Sequence, residues 1–393
     1  MAARDIYPSE ALQFDKAKVL GFVTMYGTIN SHTAVLARTK GIPAVIGLGE
    51  SLKEEYDGKT IIIDGYEGKI YIEPDYATLT KMRERKDANL RHVRNLERLK
   101  GKENITQSGQ RIDICANVGT REDIENVLRS DAGGIGLFRS EFLYMEMGSK
   151  LPSEEQLFQV YKLAAESMGA NRVVVRIADF GGDKMVESVD LGEQANPAIG
   201  LRGIRIMMEK EELFLPQFRA ILRASALGNV SIMFPMVTSM EEVAAAKALL
   251  EKAKKQLKDE KTAYNENIEI GVMIETPAAV MISRELARRV DFLSLGTNDL
   301  SQYTLAMDRQ NPLLRKKYND HHPAVLRMIQ MVIEAGHAEN RRVCICGELA
   351  ADTALTEEFL RMGVDCLSVV PACILPVRKA LRQVDLSGDD KGA

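Results

Sequence analysis

From residue 111 onward, short apolar runs alternate with stretches of helical periodicity, and this alternation restricts the fold more than any other feature of the chain. The runs occupy residues 112–116, 134–138, 172–177, 231–236, 270–274, 292–295, 343–346 and 366–370. Between them lie segments with their own start signals. Ser239 followed by Glu242, for example, forms a capping box ahead of the run 243–258. Strands separated by helices cannot pair as tight hairpins. They need crossover connections, and these give a parallel sheet. Eight such units in the last three quarters of a 393-residue chain fit an α/β fold of the (β/α)8 TIM-barrel kind. The long gap between the third and fourth runs predicts an inserted segment around residues 183–208.

Three smaller segments frame this barrel, which is assigned to residues 105–385. Residues 1–73 read as a small α/β unit, with strands at 19–23, 60–65 and 69–72. Residues 74–104 are dense in Arg and Lys, with Leu90, Val93, Leu96 and Leu99 at helix-like spacing, and read as a solvated helical linker. Glu84, Asp87 and Glu97 are interspersed there, which argues against a nucleic-acid helix. Residues 386–393 form a polar tail.

Composition removes several function classes. Hydrophobic residues make up 45% and charged residues 27% of the chain, with a net charge of −4. A globular protein with no basic excess is expected, and nucleic acid is not an expected partner. The opening MAARDIYPSE lacks the apolar core of a signal peptide, and no apolar run reaches the roughly 20 residues of a membrane span. Five scattered cysteines suit free thiols in a cytoplasmic chain. Cys344 and Cys346 have no second pair nearby and do not read as a zinc site.

In such a barrel, chemistry collects where strands end and βα loops begin. Those positions hold Arg139 with Glu141, Arg176 with Asp179, Glu275, Asn298 with Asp299, and Cys346 with Glu348. Arg202 lies in the insertion, and Arg309 follows the sixth strand. Four arginines beside two carboxylates describe an anionic ligand and a hard divalent cation. Guanidinium forks suit phosphate and carboxylate, and Glu275 and Asp299 offer oxygen ligands to Mg²⁺.

A second chemical signal lies upstream, in GTINSHTAVLARTKGIPAVIG, residues 27–47. Ser31 is a natural N-cap, so His32 falls in the first turn of a short helix that ends before Gly41 and Pro43. The exposed N–H groups and positive dipole end of that turn favour a phosphate there. The physical reading is an imidazole that carries a phosphoryl group.

This stretch resembles the phosphohistidine loop of the PEP-utilising enzymes. Gly27, Ser31, His32, Thr33, Ala37, Arg38, Ile42, Pro43, Ala44, Val45 and Gly47 match its usual form, while Thr28 replaces a second Gly and Asn30 replaces a Thr. The segments GIGLFRSEFLYM, VVVRIADFGGDK, GLRGIRI, IMFPM, GVMIETPAA, SLGTNDLSQYTLAMDR and CGELA resemble the barrel of the enzyme I family of the bacterial sugar phosphotransferase system. The resemblance implies that Arg139, Arg176, Arg202, Asn298 and Arg309 bind phosphoenolpyruvate (PEP), and that Glu275 and Asp299 hold Mg²⁺. It implies that Cys346 protonates the pyruvate enolate and that His32 takes the phosphoryl group and passes it to the carrier protein HPr. It also implies a homodimer formed through the barrels. A helical HPr-binding region and the first strands of the phosphohistidine unit are expected upstream of residue 1, so the chain reads as an N-terminally shortened form whose first unit is partial. The alternatives are a fragment of a pyruvate phosphate dikinase or PEP synthase, and a non-catalytic PEP-binding regulator. Cys344 is expected to face the opposite side of its strand from Cys346, into the packing around the barrel.

Overall fold

The computed structural model describes residues 1–6, 18–27, 37, 42–182, 186, 189–311, 313–314 and 317–387. The chain divides into two compact units, Met1–Asn95 and Leu96–Ala393.

The first unit holds a three-stranded parallel sheet. β1 (Ala2–Ala3) and β3 (Ala44–Val45) flank β2 (Phe22–Thr24). β2 is buried throughout, as a central strand covered on both faces requires. Ile6, Phe22, Ala37 and Ile42 form its core. β4 (Ile61–Asp64) and β5 (Lys69–Ile72) make an antiparallel hairpin. Its turn is organised by Asp64, which accepts the N–H groups of Tyr66 and Glu67 at 3.0 and 3.2 Å. Arg85 donates to the other Asp64 oxygen at 2.8 Å. The helix Tyr76–Glu97 buries only Leu96, with Leu90 and Val93 exposed, as its charge-rich sequence demands.

The second unit contains a closed barrel of eight parallel strands: β6 (Asp113–Val118), β7 (Ile135–Arg139), β8 (Val173–Arg176), β9 (Val230–Phe234), β10 (Ile270–Ile274), β11 (Phe292–Leu295), β12 (Arg342–Ile345) and β13 (Cys366–Val369). β13 closes the cylinder on β6, pairing Cys366 with Asp113 and Val369 with Ala116. Side chains alternate along each strand. One set, including Val175, Phe234, Ile274 and Leu295, packs outward in the large core shared with the helices. The other set fills the cylinder with a separate apolar layer of Leu137, Val174, Met233, Met273, Phe292 and Cys346.

The helices start where the sequence signals them. Met240–Asp259 carries the Ser239–Glu242 capping box, and comparable boxes begin Arg121–Ser130 and Glu154–Met168. The expected insertion follows β8. It contains a 3₁₀ turn at Pro197–Ile199 and a short helix at Ile204–Glu209, ahead of the crossover helix Glu211–Ser225. β9 ends at Phe234, short of the expected 236, because Met236 turns to φ 55° and leaves the sheet.

Candidate active site

The C-terminal ends of the barrel strands surround a cavity of about 310 Å³. Arg139, Arg176, Glu275, Asn298, Asp299, Arg309 and Cys346 all line it, with Asn117, Met273 and Glu348 among the others. Seven residues singled out at scattered positions in the sequence thus meet at one mouth.

Arg176 ends β8 on the inward face, two residues after Val174. It is 3% exposed and donates to Glu141 at 2.5 Å, with Asp179 and Glu275 each 3.8 Å away. Burial alone would depress its guanidinium. Glu141, Asp179 and Glu275 outweigh that and raise it above the ordinary arginine value. Arg139 differs: burial lowers its guanidinium, with Glu141 pulling the other way. It stacks over the Phe142 ring at 5.1 Å. Among the described residues, the Nε atoms of Arg139 and Arg176 are buried without a hydrogen-bond partner. Buried donors of this kind need acceptors, and the oxygens of an anion in the cavity would supply them.

Arg202 joins the site through Asp299. It does not line the cavity. Its guanidinium sits between two carboxylates, meeting Asp179 at 3.2 and 3.0 Å and Asp299 at 3.1 and 3.0 Å. The Tyr303 hydroxyl accepts from it at 2.9 Å. With both edges of the fork engaged, Arg202 fixes the orientation of Asp299 from behind the cavity wall.

Glu275, 1% exposed, accepts the Met236 N–H at 2.7 Å. Burial pushes its carboxyl up to about 7; Arg176 pulls it down, while Asp299 and Asp179 push it further up. Asp299 and Asp179 repel the Glu275 carboxylate, and a cation beside it would relieve that repulsion. Mg²⁺ needs only one or two protein carboxylates when substrate phosphate and water complete its shell. Glu275 and Asp299 therefore fit the expected ion, although no group of three or more His, Cys, Asp or Glu able to hold a metal occurs among the described residues. Gly296 makes room for this arrangement, since a Cβ there would lie 2.7 Å from Glu275 Oε2.

Cys346 lies one residue beyond β12. Its sulfur accepts from the Ser294 hydroxyl at 3.3 Å and donates to the Leu295 carbonyl at 3.3 Å. Its own carbonyl accepts from Asn117 at 2.9 Å, and Asn117 in turn accepts from Ser368 at 2.7 Å. Burial pushes the thiol up to about 11, with Ser294 opposing. The thiol is therefore a proton carrier at neutral pH. Asn298 and Glu348 hold one another, side-chain amide to carboxylate at 3.0 Å and Glu348 N–H to amide oxygen at 2.7 Å.

Cys344 is not on the opposite side of the strand. It points into the cylinder, as Cys346 does, because residues two apart on a strand share a face. It lines a separate cavity at the other end.

His32 lies outside the described residues. The ends of its stretch are described: Leu48 and Gly49 donate to the carbonyls of Thr24 and Met25 at 3.0 and 2.9 Å. Gly27 and Gly47 have φ of 107° and 76°. A Cβ on Gly47 would lie 3.0 Å from the Gly27 carbonyl oxygen, so the chain leaves and returns through one tight gap.

Three contributors escaped the sequence reading. Asn117 sits one residue past the expected end of the first strand. Ser294 is a lone polar residue inside an apolar run, which is itself a signal of an inward partner. Tyr303 gives no such signal.

A family description reading "PEP-utilising enzyme, PEP-binding domain" matches residues 93–386, and one reading "PEP-utilising enzyme, mobile domain" matches residues 1–68. The chain belongs to the PEP-utilising enzymes. Among curated relatives, the phosphoenolpyruvate-protein phosphotransferase of Staphylococcus carnosus is 40% identical over 383 residues, covering 98% of this chain and 67% of that protein. The protein of the same name from Haemophilus influenzae is 40% identical over 385 residues, with the same coverage, 98% and 67%. The Bacillus subtilis protein of that name is 38% identical over 384 residues, again covering 98% and 67%. The chain spans about two thirds of the length of these PEP-utilising relatives.

Proposed function

We propose that this chain is a phosphoenolpyruvate–protein phosphotransferase of the enzyme I kind. It takes the phosphoryl group of PEP onto His32, releases pyruvate, and passes the phosphoryl to the phosphocarrier protein HPr. It works in the cytoplasm, as a homodimer formed through the barrels. The observation that carries the reading is the convergence of three arginines, an asparagine, two carboxylates and a protonated thiol on one cavity. The whole-chain likeness to proteins bearing that activity in their name supports it over a dikinase or a non-catalytic regulator.

In this reading Arg139, Arg176 and Arg309 bind the carboxylate and phosphate of PEP, and Asn298, held by Glu348, orients it. Buried guanidinium groups with unspent N–H donors are already aimed and reorganise little during reaction. Glu275 and Asp299 would hold Mg²⁺, which, when bound, draws charge from the phosphoryl oxygens. Asp179 and Arg202 keep Asp299 in place. The His32 imidazole attacks phosphorus as the enolate leaves. The Cys346 thiol, aimed by Ser294 and protonated at neutral pH, delivers its proton to the methylene carbon of the enolate to give pyruvate.

The test is incubation with PEP labelled at phosphorus, with Mg²⁺, followed by peptide mapping under alkaline conditions. Acid-labile label on the His32 peptide and equimolar pyruvate are expected, with neither formed by His32→Ala. PEP binding without label on the wild-type chain would favour the regulator reading.

A further inference from the structure

The barrel has a second cavity at its opposite mouth, of about 270 Å³, and of the residues lining it only Ser294 enters the chemistry above. Asp113 and Arg342, which begin β6 and β12, mark it as the N-terminal end of the strands. Cys115, Cys344 and Cys366 all line it. Cys344 and Cys366 are direct partners in the register of β12 and β13, and their sulfurs lie 2.9 Å apart. Both are free thiols.

Thiols in a barrel interior can serve as packing alone. The pairing here goes further. Neighbouring strands lie about 4.8 Å apart, inside the range of roughly 4.4–6.8 Å between Cα atoms that a disulfide spans. Register partners therefore meet the Cα spacing that a bridge requires. The cavity gives a small oxidant access, and Cys344 is partly exposed whereas Cys366 is buried.

We infer that Cys344 and Cys366 form a thiol–disulfide site at the N-terminal mouth of the barrel, closed by two-electron oxidants of the peroxide class. The Cys344 thiolate attacks one peroxide oxygen. The O–O bond breaks, hydroxide leaves and is protonated to water, and Cys344 becomes a sulfenic acid. The Cys366 sulfur then attacks the Cys344 sulfur, the S–O bond breaks and a second water leaves. Two thiols and one peroxide become one disulfide and two waters; the sulfurs are oxidised and the peroxide is reduced.

The order of events follows from the surroundings. The Cys366 sulfur favours the Cys344 thiolate, although burial keeps that thiol above its ordinary value. Cys366 is held well above its ordinary value: Cys115 favours its thiolate, but Cys344 and burial together outweigh that. Cys344, the partly exposed sulfur that meets an oxidant first, is the attacking thiol, and the buried Cys366 beside it is the resolving one. Because burial suppresses the thiolate, closure is slow at neutral pH and accelerates as pH rises.

The full chain is treated with hydrogen peroxide at increasing pH, alkylated under denaturing conditions and mapped without reduction. The expected product is a linked Cys344–Cys366 peptide pair that dithiothreitol reverses, with Cys373 still alkylated. Cys344→Ser and Cys366→Ala, each checked for a native melting transition, abolish the link, and Cys115→Ser retains it. A Cys115–Cys366 link, or Cys344 oxidised to sulfinic acid with no link, overturns the assignment.

Discussion

Gly296→Ala is the substitution that most sharply separates a positioned metal-and-phosphate site from a merely acidic cavity. Gly296 has φ −89°, a region open to any residue, so alanine brings no backbone strain. The added Cβ would lie 2.7 Å from Glu275 Oε2, 2.9 Å from Glu275 Cβ and 3.0 Å from Met273 Sδ. Ordinary contact begins near 3.4 Å, so the carboxylate must withdraw by about 0.7 Å. Forced repacking of this kind costs about 1–3 kcal/mol of stability. The cost to function is larger, because misplacement of a positioned group by about 1 Å lowers rate on the order of 100-fold, and Mg²⁺ tolerates little departure from octahedral geometry. The expected result is turnover of PEP reduced roughly tenfold or more, a higher Mg²⁺ concentration for half-maximal rate, and a melting temperature only a few degrees lower. Pyruvate release coupled to lactate dehydrogenase, measured across a MgCl₂ series, reads both kinetic effects. Wild-type turnover with wild-type Mg²⁺ dependence would refute the placement of Glu275 in the reacting site.

Glu141→Leu leaves Arg176 buried with only the more distant Asp179 and Glu275, and should cost about 3–5 kcal/mol in urea unfolding. A Glu141→Leu chain as stable as wild type would contradict the pairing. Ser294→Ala should lower turnover several-fold and leave the KM for PEP nearly unchanged, with Ser294→Thr restoring part of the rate; a change confined to KM would place Ser294 in binding instead. Cys346, pushed up to about 11, acts in its protonated form, which persists through neutral and mildly alkaline pH. The thiol should therefore impose no alkaline loss of turnover at pH 8 or 9, and thiolate absorbance from Cys346 at those pH values would show the reasoning wrong. Removal of Mg²⁺ with EDTA should weaken PEP binding, measured by calorimetry, and Asp299→Asn should make binding insensitive to EDTA.

How much of this could be read from the chain depends on the range of the physics involved. The capping box at Ser239 and the strand runs are local, and the barrel follows from their alternation. Parallel closure then does unusual service: it brings every strand's C-terminal end to one mouth, so Arg139, Arg176, Glu275, Asn298 and Cys346 could be grouped without knowing a single contact. Arg202 could be grouped but not placed. Its position is decided by Asp179 and Asp299, which come from different loops and compete for its fork, and that competition has no signature in sequence. The hydrogen bonds from Asn117 and Ser294 to Cys346 likewise join strands that are remote along the chain but close around the cylinder. Cys344 shows the reverse case, in which the local rule suffices and had only to be applied with its period of two. Cys344 and Cys346 share the inward face of one strand, yet the apolar layer of Val174, Met233 and Phe292 lies between the two mouths. Cys346 reaches the arginines and carboxylates, where a proton is needed. Cys344 reaches Cys366, where Arg342 is paired with Asp113 and Arg172 with Glu269, and sulfur chemistry is what the geometry permits.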